Sequence, residues 1–222
     1  MDNCALNKRV TLFCGHYGSG KTNIAVNFAI AKSKAGESIS IADIDIVNPY
    51  FRTRDSTTEL EAAGVHVVAL PFANSSVDLP AVPAEVMGIL ARRDTKVIMD
   101  IGGDDRGAVA LGRYAPTIIS ENDFDMVFVV NFYRPLTRTP EAALEIMREI
   151  EAACKIPFTA IINNSNIGEE TTAEAVMKTV PLTEELSRIS GLPFVGTTVK
   201  EEFSKNLGEG KFFSLNLQEK MF

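Results

Sequence analysis

Residues 15–22 read Gly15-His16-Tyr17-Gly18-Ser19-Gly20-Lys21-Thr22 and match G-x-x-x-x-G-K-[ST], the pattern of a phosphate-binding loop. A β-rich apolar run, 9–14, precedes this stretch, and apolar residues at helical spacing follow it over 23–34. Strand, loop and helix in this order are the context that the pattern requires. The alternative is a glycine-rich turn that joins a strand to a helix and binds nothing.

The residue types of the loop suit a bound phosphate. Gly15, Gly18 and Gly20 allow backbone N–H groups to turn inward around phosphate oxygens, in conformations that a Cβ penalises. The helix that begins near Lys21 points its positive end at the anion, and the Lys21 ammonium adds charge for the β- and γ-phosphates. The Thr22 hydroxyl is a suitable ligand for Mg²⁺. We therefore predict that all eight residues bind a nucleotide, with Lys21 also catalytic and Thr22 also a metal ligand.

Composition limits the possible classes of function. The 222 residues are 45% hydrophobic and 23% charged, with a net charge of −7 and a pI near 5.0. This acidic balance argues against a nucleic-acid surface. No apolar run approaches the roughly 20 residues of a membrane span, and the N-terminus lacks a secretion signal. We expect a cytoplasmic protein without a stable membrane anchor, folded as one domain over 1–222, with a weakly patterned tail at 201–222.

Strand and helix patterns alternate along the chain. Strands are predicted at 9–14, 38–42, 65–70, 96–100, 125–131, 158–162 and 194–199, and helices at 23–34, 57–63, 83–93, 108–114, 139–154, 171–178 and 181–190. This alternation indicates parallel βαβ units. With the phosphate loop, it predicts the α/β three-layer sandwich of P-loop NTPases, with a mostly parallel sheet and helices on both faces. The wholly apolar run 126–130 should lie near the centre of that sheet.

A second acidic anchor is expected at a strand end. Asp100 closes the apolar strand 96–100 and starts Asp100-Ile101-Gly102-Gly103, which fits D-x-x-G. A carboxylate there can hold a Mg²⁺-bound water beside Thr22, and the Gly103 N–H can contact a γ-phosphate. The alternative is an ordinary aspartate at the turn after a strand.

Asp43 and Asp45 form a second acidic pair, just past the predicted strand 38–42. This is the sheet edge at which open α/β folds bind ligands. We predict that Asp43 supports the metal and that Asp45 orders the attacking water. The alternative is a solvated acidic turn.

Asn163 and Asn164 follow strand 158–162 at the same edge. An Asn amide both donates and accepts hydrogen bonds, which suits the edge of a purine, and we prefer Asn164 for this contact. Turn chemistry is an equally good explanation. Five arginines fall in loops after strand ends, where each could contact a phosphate or a partner but none is singled out: Arg52, Arg54, Arg106, Arg134 and Arg138.

Together these motifs resemble the deviant-Walker branch of the P-loop NTPases (SIMIBI class), which includes the septum-site ATPase MinD, the partition ATPase ParA and the nitrogenase iron protein. The resemblance covers the chain from Val10 to about Val199. It implies that Asp43-Ile44-Asp45 is the switch I acidic pair, that Asp100 to Gly103 is switch II, and that Asn164 contacts adenine. It also implies ATP and Mg²⁺ as ligands, and a nucleotide-dependent homodimer whose state a partner protein recognises.

One position departs from that family. Its signature lysine, which reaches the phosphates of the opposite subunit, falls at the second loop position, where this chain has His16. Histidine is shorter and only partly charged at neutral pH. The departure weakens the case for a nucleotide shared between two subunits.

The main functional hypothesis is an ATPase switch, slow in isolation, that binds or releases a partner such as a metalloenzyme or redox enzyme during its assembly. Switch I (about 44–55) and switch II (about 102–107) would change order on hydrolysis. ATP is favoured over GTP because 161–166 contains no N-K-x-D motif. The alternative is an ATP-dependent ligase or kinase of a small carboxylate, as dethiobiotin synthetase is on this fold, with loops 71–82 and 132–139 around the substrate and Arg134 as its partner.

Overall fold

A computed structural model describes residues 6–45, 54–69, 84–103, 105–204 and 212–215. The predicted loop 71–82, Arg52 and most of switch I lie outside the described residues. The helices and strands, in chain order, are β1 (Val10–Cys14), α1 (Lys21–Lys34), β2 (Ile39–Asp43), α2 (Arg54–Ala62), β3 (His66–Ala69), α3 (Ala84–Ala91), β4 (Lys96–Asp100), α4 (Asp105–Gly112), α5 (Ala115–Glu121), β5 (Phe124–Val130), α6 (Pro140–Cys154), β6 (Ala160–Asn163), α7 (Ala173–Ser190), β7 (Phe194–Lys200), α8 (Glu201–Ser204) and β8 (Phe212–Leu215). Short 3₁₀ helices span Pro135–Thr137 and Gly168–Glu170.

The strands form one sheet in the order β3-β2-β4-β1-β5-β6-β7-β8. Every pairing in it is parallel. This confirms the predicted P-loop NTPase α/β fold. The apolar run 126–130 lies in β5, between β1 and β6, and all five of its residues are buried, as predicted.

The two faces of the sheet bury separate apolar cores. Successive side chains of a strand point to opposite faces, so that Leu12 and Phe128 contribute to one core while Phe13 and Val127 contribute to the other. Helices α3 to α7 pack on the first face, and α1 and α2 pack on the second. The ring of Phe28 in α1 meets Phe13 edge to face, with 5.5 Å between ring centroids. The sheet therefore lies between two helical layers, and its strand ends are left for the loops.

Helix α6 begins where the sequence indicated. The Thr139 hydroxyl accepts a hydrogen bond from the Ala142 N–H at 3.2 Å, and Pro140 occupies the first turn. A threonine cap satisfies one of the free N–H groups of the first turn, and a proline there sacrifices no hydrogen bond.

Helix α7 differs from the prediction. The sequence predicted two helices, 171–178 and 181–190, but α7 continues through Pro181. The proline removes the hydrogen bond to the Met177 carbonyl. Met177 is 42% exposed, so this turn of the helix faces solvent. Buried residues on both sides of the proline hold α7 against the sheet: Val176, Thr179, Thr183 and Leu186.

Within the described part of the chain, no helix is both long and apolar enough to cross a membrane.

The sequence did not predict helix α5, helix α8 or strand β8. The predicted helix 108–114 corresponds to α4, which begins and ends slightly earlier, and α5 follows it with Pro116 in its first turn, a typical start signal of a helix. The weakly patterned tail 201–222 contains α8 and the edge strand β8. Phe213 and Leu215 of β8 are buried, which explains the alternating pattern of that segment.

A buried ion pair closes the opposite end of the sheet from the phosphate loop. Arg9 binds the carboxylate of Glu121, and the two side chains are 9% and 7% exposed. The Arg9 guanidinium also donates to the Leu90 carbonyl at 2.9 Å. The hydrogen bond from Arg9 is the main reason that the pKa of Glu121 is lowered. The pair joins β1, α3 and α5.

Candidate phosphate-binding site

The phosphate loop joins β1 to α1 and needs its glycines. Gly18 and Gly20 have φ angles of +74° and +83°, which side chains rarely adopt. A Cβ on Gly15 would collide with the Val129 carbonyl oxygen, and a Cβ on Gly20 would collide with the Asn164 amide. The loop is therefore shaped by backbone twist and by close contact with the ends of β5 and β6.

The first residues of α1 carry the polar groups of the site. Lys21 is 7% exposed at the start of the helix. The hydroxyl of Thr22 donates to Asp100 Oδ2 at 2.5 Å. The sequence-predicted metal ligands Thr22 and Asp100 are thus in direct contact.

Asp100 is buried at the end of β4, with 1% exposure. Burial raises the pKa of its carboxyl to about 6, against the opposing effects of Lys21 and the Thr22 hydrogen bond. Its other oxygen, Oδ1, has no hydrogen-bond partner among the described residues, and neither does the buried hydroxyl of Ser19. Buried polar atoms almost always form hydrogen bonds, so two buried oxygens without a hydrogen-bond partner around one loop indicate a polar ligand.

The predicted switch I acids lie beside Asp100. Asp43 is the last residue of β2, is 1% exposed, and pairs in register with Asp100. Its Oδ1 accepts a hydrogen bond from the Asp45 N–H at 2.9 Å. Asp45 is positioned next to Gly102, where a Cβ would lie 3.3 Å from Asp45 Oδ1. Both acids therefore meet the switch II segment at the strand ends.

Gly103, the predicted switch II glycine, lies in close contact with the phosphate loop. A Cβ on Gly103 would lie 2.6 Å from the Tyr17 amide nitrogen and 2.7 Å from Lys21 Nζ. Gly102 makes a similarly close backbone contact with Gly107, at the start of α4. The segment therefore links the loop to α4 through contacts that only glycine permits.

These groups fit a magnesium ion shared with a phosphate. Thr22, Asp43 and Asp100 all offer oxygen ligands, which hard divalent cations prefer. The described residues contain no group of three or more His, Cys, Asp or Glu side chains that could hold a metal ion. A Mg²⁺ ion would thus depend on phosphate oxygens and water for its remaining ligands, as Mg²⁺ commonly does.

Asn164 bridges the loop to the sheet. Its Nδ2 donates to the Ser19 carbonyl at 2.6 Å, and its Oδ1 accepts a hydrogen bond from the Thr198 hydroxyl. Asn163 points into the protein and donates to the Thr179 hydroxyl at 2.9 Å. Contact between Asn164 and a base remains a prediction, and its visible role is to hold the loop.

The other two residues of the loop lie at its surface. The His16 ring contacts the carbonyl of Tyr17 at 3.1 Å through Nδ1. The Tyr17 side chain is 63% exposed.

Arg134 contacts the phosphate loop, although no pattern in the sequence specifically indicates this contact. Its Nε donates to the Gly18 carbonyl at 2.9 Å. Arg134 follows β5. Its contact with the loop after β1 can be predicted only if the order of the strands in the sheet is known. Of the other loop arginines, Arg138 is exposed, whereas the side chains of Arg54 and Arg106 lie outside the described structure.

Comparison with known proteins by sequence gives no match, either to a family model or to a curated protein. Solved structures do resemble this chain. The cell division protein FtsY from Thermotoga maritima has a TM-score of 0.61 and 20% identity, over 90% of this chain and 64% of that one. The signal recognition particle 54 kDa protein from Aeropyrum pernix K1, solved with GDP, has a TM-score of 0.55 and 16% identity, over 85% of this chain and 40% of that one.

A third solved structure, FlhF complexed with GTP and Mg²⁺, has a TM-score of 0.55 and 15% identity, over 88% of this chain and 67% of that one. This chain spans only 64% and 61% of two of the FtsY proteins that it resembles. At these identities the likeness shows the fold alone, which is that of P-loop NTPases.

Proposed function

We propose that this chain is a Mg²⁺-dependent nucleoside triphosphatase that works as a switch, with ATP as its substrate. The observation that carries the proposal is the Thr22–Asp100 pair, with unpartnered buried oxygens on Asp100 and Ser19 around a glycine-shaped loop. A turn that bound nothing would leave these groups desolvated without compensation, which costs about 1–3 kcal/mol for each group.

Each residue has a distinct role in this proposal. Backbone N–H groups of the loop and the Lys21 ammonium bind the phosphates. Thr22, Asp43 and Asp100 hold Mg²⁺, which when bound neutralises charge on the phosphate oxygens. Asp45 orients the attacking water. Phosphoryl transfer needs positioning and charge neutralisation more than covalent chemistry, so hydrolysis is slow until a partner completes the site.

The contact of Gly103 with the loop supports a switch. A phosphate that bound to the Tyr17 N–H and to Lys21 would compete with Gly103 for the same space, because a Cβ there would already lie 2.6–2.7 Å from those nitrogens. The displaced segment would then move Gly107 and α4 through the close contact with Gly102. A partner that binds α4 would thereby recognise the nucleotide state. We propose a metalloenzyme or redox enzyme under assembly as that partner.

The choice of ATP depends on the end of β6, where we propose that the base binds. Guanine presents N1–H and N2–H₂ donors, which are usually matched by a carboxylate, whereas the segment 161–167 has only amide and hydroxyl side chains as polar groups. Two of the similar solved structures are complexes with GDP and with GTP. Competition between ATP and GTP for a fluorescent nucleotide analogue would decide between the bases.

We further propose that ATP promotes a homodimer, as in the MinD and ParA proteins that the motifs resemble. The exposed Tyr17 at the rim of the loop, 63% accessible, offers an apolar surface there. Light scattering with ATP, ADP or no nucleotide measures this directly.

The decisive experiment compares Asp45→Asn with the wild type, using Asp123→Asn at the far end of the sheet as a control for loss of one charge. Asp45→Asn should lower ATP hydrolysis roughly 100-fold or more while leaving ATP affinity within about threefold, because it acts on the water. It should also accumulate any ATP-bound dimer. Hydrolysis at the wild-type rate would contradict the role of Asp45, and absence of ATP and GTP binding by the wild type would contradict the proposed function.

The ligase or kinase alternative gains no support from the described residues. Arg134, its expected carboxylate partner, lies against the phosphate loop, where its Nε donates to the Gly18 carbonyl. A cavity of about 420 Å³ lies at the opposite end of the sheet, between charged residues such as Arg9 and Lys96. Stimulation of hydrolysis by small carboxylic acids would nevertheless revive this alternative.

A further inference from the structure

We propose that Arg134 is a second phosphate-binding cation, supplied by the same subunit as the loop. It would thereby provide a permanent positive charge at a loop whose second position is His16 rather than lysine. This inference rests on the proposed nucleotide site and adds a residue to it.

Arg134 already lies against the loop. Its Nε donates to the Gly18 carbonyl at 2.9 Å. A Cβ on Gly18 would lie 3.1 Å from that nitrogen and 3.3 Å from the guanidinium carbon. The missing side chain at Gly18 therefore makes room for the planar guanidinium at the rim of the site.

The backbone of Arg134 is held in place from both sides. The N–H of Arg134 and the hydroxyl of Thr137 both donate to the Asn131 carbonyl, at 3.1 Å and 2.6 Å. Asn131 is fully buried, and its Nδ2 donates to the Asn166 carbonyl at 3.1 Å. The Tyr133 hydroxyl donates to the Ala175 carbonyl at 2.7 Å. These bonds connect the loop after β5 to the loop after β6 and to α7, so the arginine is positioned before any ligand arrives.

The rest of the guanidinium is not engaged by an acid. Within the described ranges, Arg134 forms no ion pair, and the one hydrogen bond of its guanidinium uses Nε alone. The terminal nitrogens can donate as a fork, a geometry that matches two phosphate oxygens. A cation at this place would stabilise the negative charge that develops on the phosphate during phosphoryl transfer. In some P-loop NTPases, an arginine of the same chain has this role.

The test measures the affinity of ADP and of a non-hydrolysable ATP analogue for three variants. Arg134→Gln removes the charge, Arg134→Lys keeps a charge without the fork, and Arg138→Gln makes the same change at an exposed position nearby. We expect Arg134→Gln to weaken the triphosphate about 10- to 100-fold, the range for a charge-assisted hydrogen bond. ADP should weaken less than about threefold, and Arg134→Lys should fall between wild type and Arg134→Gln.

Two results would overturn the inference while leaving the proposed function intact. In the first, Arg134→Gln binds the triphosphate as well as Arg138→Gln does. In the second, it weakens ADP and the triphosphate equally, which would mean that Arg134 only holds the loop through Gly18. Thermal unfolding of each variant verifies that the fold is retained. A wild type that binds neither nucleotide would instead overturn the nucleotide site itself, and this inference with it.

Discussion

Replacing Asp100 by asparagine should stabilise the ligand-free protein at neutral pH while abolishing its use of Mg²⁺. Burial raises the pKa of Asp100 from 3.8 to about 6. In the unfolded chain the same group ionises near pH 4, so between pH 4 and pH 6 the folded state keeps a proton that the unfolded state has released. The free energy of unfolding therefore falls as the pH rises through this window. The full loss is present above pH 6.

The size of the effect follows from that pKa difference. A shift of roughly 2 pH units corresponds to about 3 kcal/mol, at 1.36 kcal/mol per unit. Asp100→Asn has no proton to release, so its free energy of unfolding should exceed that of the wild type by an amount that grows by up to about 3 kcal/mol between pH 4 and pH 6.5. The Thr22 hydroxyl can still donate to the asparagine carbonyl, so the main local contact survives.

Urea unfolding of the nucleotide-free and metal-free protein at several pH values measures this difference. Low protein concentration is needed near the pI of about 5.0. Asp123→Asn is the control for the loss of one carboxylate far from the site. A constant difference between Asp100→Asn and wild type at all pH values would refute the reasoning. Adding Mg²⁺ and ATP should reverse the order of stability, because the ligands bind only the wild type well.

Three further changes test the packing around the site and the sheet. Gly20→Ala should lower the free energy of unfolding by about 1–3 kcal/mol more than Gly36→Ala. Both glycines have positive φ, but only the Cβ at position 20 meets Asn164; equal losses in urea would contradict this clash. Arg9→Met should cost about 1–3 kcal/mol, because it leaves the buried Glu121 carboxylate paired only with the exposed Arg93; a loss below 1 kcal/mol in the same assay would show that Arg93 and water replace Arg9. Pro181→Ala should raise stability by about 1–2 kcal/mol, since it restores a helical N–H, and unchanged thermal unfolding would mean that α7 is strained to suit its proline.

The sequence predicted local structure correctly where a few neighbouring residues determine it. Examples are the phosphate loop, the apolar run 126–130 and the capped start of α6. Pro181 failed as a helix boundary because burial of Val176 and Leu186 on either side outweighs one lost hydrogen bond. Local propensity cannot include that term, since it depends on packing against the sheet.

Some contacts of the candidate site could likewise be predicted from local sequence, whereas others depend on the assembled sheet. Strand ends were enough to bring Thr22, Asp43 and Asp100 to one edge, because parallel strands present their carboxyl ends together. The contact of Arg134 with Gly18 depends on which strand lies beside β1, which sequence alone does not specify. Asn164 was expected to contact a base, but its hydrogen bonds to the loop and to β7 depend on distances that only the assembled sheet defines.

The position of β1 in the sheet has a consequence for synthesis on the ribosome. β1 is made first, yet its neighbours β4 and β5 are among the later strands, with Val10 paired to Val97 and Phe124. The hydrogen bond from Asn164 to the Ser19 carbonyl can form only later, because Asn164 follows Ser19 by 145 residues. At ~5–20 residues per second, translation of that interval takes roughly 7–30 s. A nascent chain released before Asn164 would thus carry the complete phosphate-loop sequence without the ability to form the loop.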